Sequence, residues 1–322
     1  MRKGGAAPAS ALPKRRIRSG GLISEIRTKP VLFLMLLPMV ALAVVFAYIP
    51  MSGILIAFEN FNYRGGIFGS PFVGFSNFEF LFKGNDMLAI TLNTFGYNLA
   101  FIVVNQFLEI LFAIVLSELL GKTFKKLVQS SMFLPYFISW VIAGSIVYNL
   151  FNYEYGIVNN SMVSLGLERV DLMNNAWFWR IMLVVFSAWK NVGYGCIIYL
   201  STITGIDTEM YDAAVVDGAN ILQRIWYVTL PFIVPTLIML LLMTIGSMFR
   251  GDFGLFWQLV GNNPLVRSET EIIDTYIYRA MSSTSNFGMT TAAGIYQSVM
   301  GFVLIMTVNA IVKKVNREYA LF

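Results

Sequence analysis

The sequence has no histidine, a single cysteine and few charged residues. Without histidine, the chain lacks the commonest general base and the commonest zinc ligand, which argues against most hydrolase and metalloenzyme functions. The lone cysteine, Cys196, lies in an apolar run, so no disulfide framework is expected within the chain. Charged residues make up 13% of the 322 residues. Soluble domains usually have about a quarter of their residues charged, so this composition is unlike theirs.

The chain is instead rich in apolar residues, which occur in long runs. Hydrophobic residues make up 57% of the chain, including 27 Phe and 17 Met. Six runs exceed the roughly 20 residues that a helix needs to cross the hydrocarbon layer. They lie at about 31–57, 88–119, 127–151, 177–204, 232–258 and 290–312. We therefore expect an all-α polytopic protein of the cell membrane, with six transmembrane helices.

The basic residues are concentrated at the N-terminus. Residues 1–29 contain eight Lys or Arg residues, with Glu25 as the only acid. A nucleic-acid partner is not expected, because this segment has no aromatic residue on which a base could stack. The run at 31–57 is too long for the core of a signal peptide, so it is predicted to remain as a helix. The positive-inside rule then predicts a cytoplasmic N-terminus.

The other connections agree with this orientation. The segments after the second and sixth runs add six Lys or Arg residues to the tail, and the segments on the opposite side carry five basic and nine acidic residues. Both termini are therefore predicted to be cytoplasmic, N-in and C-in. The expected organisation is a basic tail at 1–29, a first helix with its outer loop at 30–87, a core at 88–314 and a cytoplasmic tail at 315–322.

The predicted outer connections are rich in aromatic residues and glycine, at 58–78 and 152–156. Aromatic side chains are typical of the membrane–water interface, and short surface helices are common there. A docking surface for an extracytoplasmic partner is the alternative. Composition favours the membrane interface.

The loop at 205–231 departs from the charge pattern. It is cytoplasmic in the predicted topology, yet Arg224 is its only basic residue. Its acids are Asp207, Glu209, Asp212 and Asp217. Thr208 is suited to cap a short helix beginning at Glu209, where the helix dipole favours acids.

A turn is predicted after this short helix. Ala213 and Ala214 combine strong helix propensity with little bulk, so another protein surface could approach closely. Asp217 and Gly218 predict a helix stop, because glycine adopts backbone conformations that are costly for other residues. Apolar residues then recur at helical spacing, at Ile221, Ile225 and Val228. The pattern predicts a helix–turn–helix beneath the membrane.

Two interpretations of this loop are possible. An amphipathic interfacial helix without a partner explains its apolar positions. It does not explain a cluster of acids, which an anionic cytoplasmic leaflet would repel. We therefore expect another protein to cover the loop.

The same loop carries a family pattern. Residues 212–219 read DAAVVDGA, and a hydrophobic-x-Leu-Pro stretch ends at Pro231. This resembles the EAA loop of binding-protein-dependent ABC importer permeases. Asp212 stands where the family usually has Glu, which keeps the charge but shortens its reach. From about residue 90 to the end, the chain resembles MalF/UgpA-like sugar permeases, and in particular the LplB-like branch. The stretches that carry this similarity are 189–207, 252–263, 272–280, 288–314 and 320–322.

The resemblance implies a type I ABC importer permease fold and a set of partners. It implies a second homologous permease subunit, two cytoplasmic ATPase subunits that bind ATP and Mg, and an extracytoplasmic sugar-binding lipoprotein. This chain itself would be neither catalytic nor cofactor-binding. The short helix in the loop would couple it to an ATPase, through Glu209, Asp212, Ala213, Ala214, Asp217, Gly218 and Ala219. Members of the branch import oligosaccharides, including uronic-acid-containing fragments of pectin and alginate.

Polar residues within the apolar runs indicate a substrate pathway, because such residues are costly in a membrane unless they pair or face a cavity. On the fourth run they are Ser187, Lys190, Asn191 and Tyr194, spaced to share one helical face. On the fifth they are Ser247, Arg250 and Asp252. Lys190 and Arg250 could bind a uronate carboxylate. Alternatively, Arg250 pairs with an acid and Lys190 reaches toward the surface.

Two other function classes remain as alternatives. An ion-driven secondary transporter would need paired repeats and intramembrane carboxylates, for which Glu109 and Asp252 are the candidates. Glu109, Asn105 and Asn309 are instead expected to form hydrogen bonds between helices. A membrane-embedded enzyme has little support, because no phosphate-binding loop or metal-ligand spacing is present.

Overall fold

The computed structural model describes residues 26–83 and 86–315. Most of the two predicted tails therefore lies outside the described residues. The chain divides into two compact units between residues 53 and 54. No β-strand occurs in the two described ranges, apart from one isolated bridge between Glu59 and Phe72.

The described chain is mainly helical. The α-helices are Pro30–Ala43, Gly66–Gly69, Asp86–Glu118, Lys122–Phe133, Trp140–Phe151, Ile157–Ser164, Ala176–Thr204, Thr208–Val216, Ile221–Arg224, Leu230–Ile245, Phe253–Leu259, Arg267–Thr270, Ile273–Thr284 and Phe287–Val315. Tighter 3₁₀ turns occupy Ile49–Phe58, Ser76–Leu81 and Leu134–Phe137, and wider π turns occupy Val44–Tyr48 and Ile225–Thr229.

Within residues 26–83 and 86–315, five helical segments are long and apolar enough to cross a membrane, and a bent pair of helices makes a sixth when it is taken as one span. Five are single helical segments: Pro30–Phe58, Asp86–Glu118, Ala176–Thr204, Ile221–Ile245 and Phe287–Lys314. The sixth is a pair of helices, Lys122–Phe137 and Trp140–Phe151, bent by 97° where they meet. In chain order the bent pair is the third span, and the six are called the first to sixth spans below. The predicted all-α, six-span architecture is confirmed.

The third span departs from its prediction as one helix at 127–151. The chain leaves the α-helix at Leu134, the first residue of a tighter turn that contains Pro135 and ends at Phe137. Ser139 then starts a new helix by accepting a hydrogen bond from the backbone N–H of Ile142, at 3.3 Å. The proline and the serine cap thus produce the bend, although the whole run is apolar.

The fifth span was predicted with the wrong bounds, 232–258. It begins at Ile221 and ends at Ile245. Residues 246–252 (GSMFRGD) interrupt the apolar run. A separate helix follows at Phe253–Leu259, capped by the Asp252 carboxylate, which accepts from the N–H of Leu255 at 3.1 Å. A capping aspartate after glycine favours a helix start over continuation of a span.

The second and fourth spans run parallel to each other and form the centre of the second unit. Near one end, Phe101 packs with Leu183 and Trp179, and near the other, Leu116 packs with Leu200. Glycine allows close approach on the fourth span, since a methyl group at Gly193 would overlap the backbone carbonyl of Met132. Small residues at such contacts are typical of membrane helices.

Contacts between the ends of the spans define two sides of the second unit. The end of the second span lies beside the start of the fifth span, where Glu118 and Arg224, four residues after the 205–220 loop, form an ion pair at 3.6 Å. We call this the loop side. At the opposite ends of the spans, the far side, Asn93 donates to the carbonyl of Ser268 at 2.9 Å and Arg180 pairs with Glu269.

The bent third span crosses between these two sides once. It starts at Lys122, four residues after the end of the second span on the loop side. Its second half packs against the far-side helix Phe253–Leu259, where a methyl group at Gly144 would overlap the carbonyl of Gln258. The two halves therefore count as one span.

Candidate functional site

The loop between the fourth and fifth spans begins with a capped helix, Thr208–Val216. The cap is Asp207, whose carboxylate accepts from the N–H of Glu209 at 3.1 Å. The prediction that Thr208 would cap a helix beginning at Glu209 is wrong by one residue. Aspartate and threonine both serve as N-caps, so the sequence offered two neighbouring candidates.

The helix ends where the sequence predicts, at Asp217 and Gly218. Gly218 has φ of +80°, in the left-handed region that side chains other than glycine rarely adopt. The N–H of Gly218 donates to Val215 at 3.0 Å, and that of Ala219 donates to Ala214 at 2.9 Å. These two bonds make a Schellman ending, which fixes the direction in which the chain leaves the helix.

A second helix begins directly after this turn. Asn220 and Gln223 cap it reciprocally, each side chain bonding to the backbone N–H of the other residue, at 2.9 and 2.8 Å. The hydroxyl groups of Tyr211 and Thr229 lie 3.0 Å apart, so they connect the first helix to the base of the fifth span. The predicted helix–turn–helix is confirmed, with both of its helices capped.

The residues proposed for coupling lie together in this helix and turn. Five of them are exposed, namely Glu209, Asp212, Ala213, Asp217 and Gly218, while Ala214 and Ala219 are partly buried. Large apolar side chains are exposed beside them: Val216 is 86% exposed and Tyr227 is 81% exposed. Acids and apolar groups on one short loop form a surface that a partner protein could cover.

The polar residues of the fourth span lie on one continuous helix, Ala176–Thr204, but contact two different neighbours. Ser187 is buried and accepts a hydrogen bond from Asn105 of the second span, at 3.3 Å. Asn191 donates to the carbonyl of Ser187 at 3.0 Å. Lys190 and Tyr194 instead contact the bend of the third span.

Lys190 forms hydrogen bonds with the backbone at the bend of the third span. Its ammonium group donates to the carbonyl of Tyr136, at 3.0 Å, and to that of Ile138. It also lies 5.1 Å from the centre of the Trp140 ring, within cation–π range. Carbonyls freed by a break in a membrane helix need such donors. These contacts direct the ammonium group of Lys190 at the bend.

Trp140 joins this group to the turn after the fifth span. Its indole N–H donates to the carboxylate of Asp252 at 2.8 Å. The structure thus brings Lys190, Trp140 and Asp252 together from three separate segments. Trp140 had no part in the sequence-based site, because its role depends on the bend that places it.

Arg250 and Ser247 lie in the turn at 246–252 and not on a span. Both are exposed, and Arg250 takes part in none of the four ion pairs found within 26–83 and 86–315. Nearby, Asp274 accepts from the N–H of Gly251 at 2.7 Å. Burial raises the pKa of Asp274, and this hydrogen bond counteracts the rise.

An aromatic cluster borders the bend. Tyr136 and Tyr194 are stacked with their ring centres 4.8 Å apart, and Phe133 stacks on Tyr136 at 5.8 Å. Both tyrosines are exposed. Tyr136 and Phe133 were missed by sequence reasoning. Exposed tyrosine rings beside a cation can stack on the C–H face of a sugar and donate hydrogen bonds to its hydroxyl groups.

Within the described ranges, no group of three or more His, Cys, Asp or Glu residues could hold a metal ion. Of the three residues expected to join helices, Asn105 donates to Ser187, as above. Glu109 and Asn309 are buried, and Glu109 lies against Gly195 of the fourth span.

Comparison with known proteins identifies the family of this chain. Residues 109–317 match the model of the family described as "Binding-protein-dependent transport system inner membrane component". This match covers more than half of the chain. The chain belongs to this family. It is therefore a multi-pass inner membrane permease of an ABC transporter, and the prediction made from the EAA-like loop is confirmed. Both the 205–231 loop and the residues around the bend lie inside the matched region.

Curated relatives of the permease cover nearly its whole length. It is 36% identical over 318 residues to the polygalacturonan/rhamnogalacturonan transport system permease protein YteP of Bacillus subtilis, covering 97% of each chain. It is 33% identical to protein LplB of the same species, over 89% of this chain and 90% of that one. The predicted LplB-like branch is in keeping with both.

A solved structure agrees with the permease fold. The chain matches a subunit of a bacterial alginate ABC transporter, solved in complex with an alginate pentasaccharide-bound periplasmic protein. The TM-score is 0.82 at 30% identity, over 91% of this chain and 98% of that chain. The type I importer permease fold is thus confirmed.

Proposed function

We propose that this permease imports acidic oligosaccharides, of the kind released from pectin or alginate. The observation that carries the proposal is the 36% identity to YteP across 97% of both chains. YteP is named for polygalacturonan and rhamnogalacturonan, and the structural relative imports alginate. Each of these polymers carries uronate carboxylates, so the two relatives share one substrate chemistry.

The proposed complex contains three further kinds of subunit. A second homologous permease completes the translocation pathway. Two ATPase subunits bind ATP and Mg on the loop side, and this chain contributes no cofactor site of its own. An extracytoplasmic sugar-binding lipoprotein delivers the oligosaccharide on the far side. The structural relative in complex with a substrate-bound periplasmic protein supports this last partner.

The proposed coupling element is the loop containing Glu209, Asp212, Ala213, Ala214, Asp217, Gly218 and Ala219. Support comes from its capped ends, which let it move as one body, and from its exposed acids and apolar groups. When the ATPases close around ATP, a rigid loop seated on one of them would carry the movement into the fourth and fifth spans. Alternating access of the sugar pathway follows.

The proposed substrate pathway runs past the third-span bend and the turn at 246–252. Tyr194, Asn191 and the neighbouring Ser187 border it on the fourth span, and Lys190 and Asp252 hold the bend and the turn that shape it. Ser247 and Arg250 are exposed at the turn. Arg250 is the stronger candidate to bind a uronate, because the donors of Lys190 are already directed at two carbonyls.

Uptake by the reconstituted complex tests this function. The permease pair and ATPases are placed in proteoliposomes with the sugar-binding protein, and uptake of oligogalacturonate or oligoalginate is compared with that of the same oligosaccharides after reduction of their carboxyl groups. We expect ATP-dependent uptake with preference for the acidic form. Uptake by this chain alone, driven by an ion gradient, would overturn the importer function. Equal uptake of both forms would overturn the acidic substrate while leaving the importer intact.

A further inference from the structure

The connection between the first and second spans is unusually aromatic. Residues 58–83 contain eight Phe and one Tyr. These aromatic residues fall into two groups by exposure. Four Phe side chains are partly buried, namely Phe58, Phe61, Phe78 and Phe80. The other four are among the most exposed apolar residues described: Phe68 is 81% exposed, Phe72 75%, Phe75 73% and Phe82 85%.

The partly buried group fixes the connection at the ends of the spans. Phe61 lies against Phe287, the first residue of the sixth-span helix, with ring centres 5.5 Å apart. Phe80 stacks on Tyr276 at 6.1 Å. Phe58 itself ends the first span and contacts Phe78 at 5.4 Å. These rings therefore tie the connection to Phe58 and to the level at which the sixth-span helix begins.

Backbone hydrogen bonds keep the connection at that level. The N–H of Val73 donates to Phe58 and that of Asn60 donates to Pro71, both at 2.8 Å, so the chain returns to the end of the first span. The side-chain amide of Asn77 donates to the carbonyls of Ala57 and Glu59, at 3.0 and 2.9 Å. The segment cannot extend far from the membrane while these bonds hold.

We propose that residues 58–83 form a membrane-interface anchor, with Phe68, Phe72, Phe75 and Phe82 inserted into the adjoining lipid leaflet. The exposed rings continue the apolar surface of the span ends to which the segment is fixed. Lipid fits this surface better than a soluble partner does, because charge is scarce. The charged side chains here are Glu59, which is buried, Arg64, and the mutually paired Glu79 and Lys83. Aromatic side chains at this depth stabilise interfacial segments.

The anchor has a consequence for transport. Phe61 and Asn77 both contact the start of the sixth-span helix, where a methyl group at Gly288 would overlap the Asn77 side chain. A connection held by lipid would keep this end at a fixed depth while the loop side moves. The anchor thus supplies a stationary reference for alternating access.

Nitroxide labels on the complete complex in lipid nanodiscs test the anchor. In a Cys196→Ala background, cysteine is introduced singly in place of Phe68, Phe72 or Phe82 and labelled. Collision rates with oxygen, which enters lipid, and with a water-soluble nickel chelate are then measured. Cysteine at Met39 in the first span serves as the lipid control, and cysteine at the exposed Glu168 serves as the water control.

We expect the oxygen-to-nickel ratio at the three Phe positions to be several-fold above that at Glu168 and close to that at Met39. Ratios equal to that at Glu168 would overturn the proposal. A fall in both collision rates only when the sugar-binding protein is added would also overturn it, because the surface would then be a protein-docking site. As a second measurement, the Phe68→Trp variant and the parent are each placed in lipids brominated near the headgroup. We expect bromine to quench a larger share of the tryptophan fluorescence in the variant than in the parent. Equal quenching in the two proteins would contradict insertion.

Discussion

Two cations of the proposed pathway differ in what their donors already contact. Lys190 directs its ammonium group at the carbonyls of Tyr136 and Ile138 and at the ring of Trp140. Removing it would leave freed carbonyls without a donor at a bend inside the membrane, which is costly. Arg250 is exposed in a turn, and its planar guanidinium suits two-point binding of a carboxylate. Lys190 therefore stabilises the third-span bend, and Arg250 is available to bind a carboxylate of the substrate.

This difference predicts that substitutions of Arg250 and Lys190 affect the uptake of acidic and neutral substrates differently. We expect Arg250→Gln to reduce uptake of uronate oligosaccharides roughly tenfold or more, since a charge-assisted hydrogen bond contributes about 1.5–3 kcal/mol. Uptake of the carboxyl-reduced oligosaccharides should change little, and Arg250→Lys should keep part of the preference. Lys190→Met should lower uptake of both forms equally. An equal loss of both forms in Arg250→Gln would assign Arg250 a structural role only.

Helix packing gives a second prediction at the residue scale. A methyl group at Gly193 would overlap the carbonyl oxygen of Met132, and backbone cannot rotate away. We expect Gly193→Ala to destabilise the protein by about 1–3 kcal/mol, as overpacking does. Gly96→Ala in the second span is the matched control, because nothing lies within 4 Å of its added methyl group. The unfolding midpoint in detergent distinguishes them, and equal midpoints would contradict this close packing.

At single positions, the sequence predicted backbone requirements better than side-chain partners. Gly218 was expected to end a helix, and it does so with a positive φ. Lys190 was assigned either to substrate or to the surface, and the groups that it contacts lie fifty or more positions away in the chain. Those partners exist only once the third span bends, so no local pattern could reveal them.

Among the elements, the 205–231 loop is built to keep its shape. Asp207 caps its first helix, a Schellman ending closes that helix, and Asn220 caps the second. The Arg224–Glu118 ion pair ties the second helix to the second span. An exposed loop held by these contacts can transmit a displacement without deforming, which mechanical coupling requires.

The turn of this loop gives the third prediction. Gly218→Val should distort the turn, because a left-handed conformation costs a non-glycine residue roughly 1–2 kcal/mol and a β-branched one more. We expect normal membrane insertion but loss of the ATPase stimulation that substrate-loaded binding protein produces. Gly166→Val, at φ of +78° outside this loop, imposes similar strain and should keep stimulation. Normal coupling in Gly218→Val would remove the coupling assignment.

In the third and fifth spans, the apolar runs did not predict where the helices break or end. Both were recognised as spans, because their length and hydrophobicity suffice. The break at Leu134 was missed since proline within a membrane helix is often tolerated. The end of the fifth span was placed thirteen residues too late, at 258, because the helix Phe253–Leu259 continues the apolar composition after the polar turn.

At the scale of the whole molecule, the contacts sort the connections onto two sides. The end of the second span is joined to the start of the fifth span, just after the 205–220 loop, through Glu118 and Arg224. The connections that carry Phe61, Ser268 and Glu269 lie at the other ends of the spans. This division matches the one deduced from the counts of Lys and Arg. Charge therefore predicts which side is cytoplasmic, and packing independently groups the same segments.

Orientation is the last prediction. If the loop side is cytoplasmic, a membrane-impermeant maleimide added to intact cells should label Glu168→Cys on the far side and leave Lys126→Cys unlabelled, both in a Cys196→Ala background. After permeabilisation, both should react, while the cysteine-free parent stays unlabelled throughout. An even number of spans then places both termini in the cytoplasm with the loop. Labelling of Lys126→Cys in intact cells would reverse the orientation, and an ATPase could no longer reach the acids of the 205–231 loop.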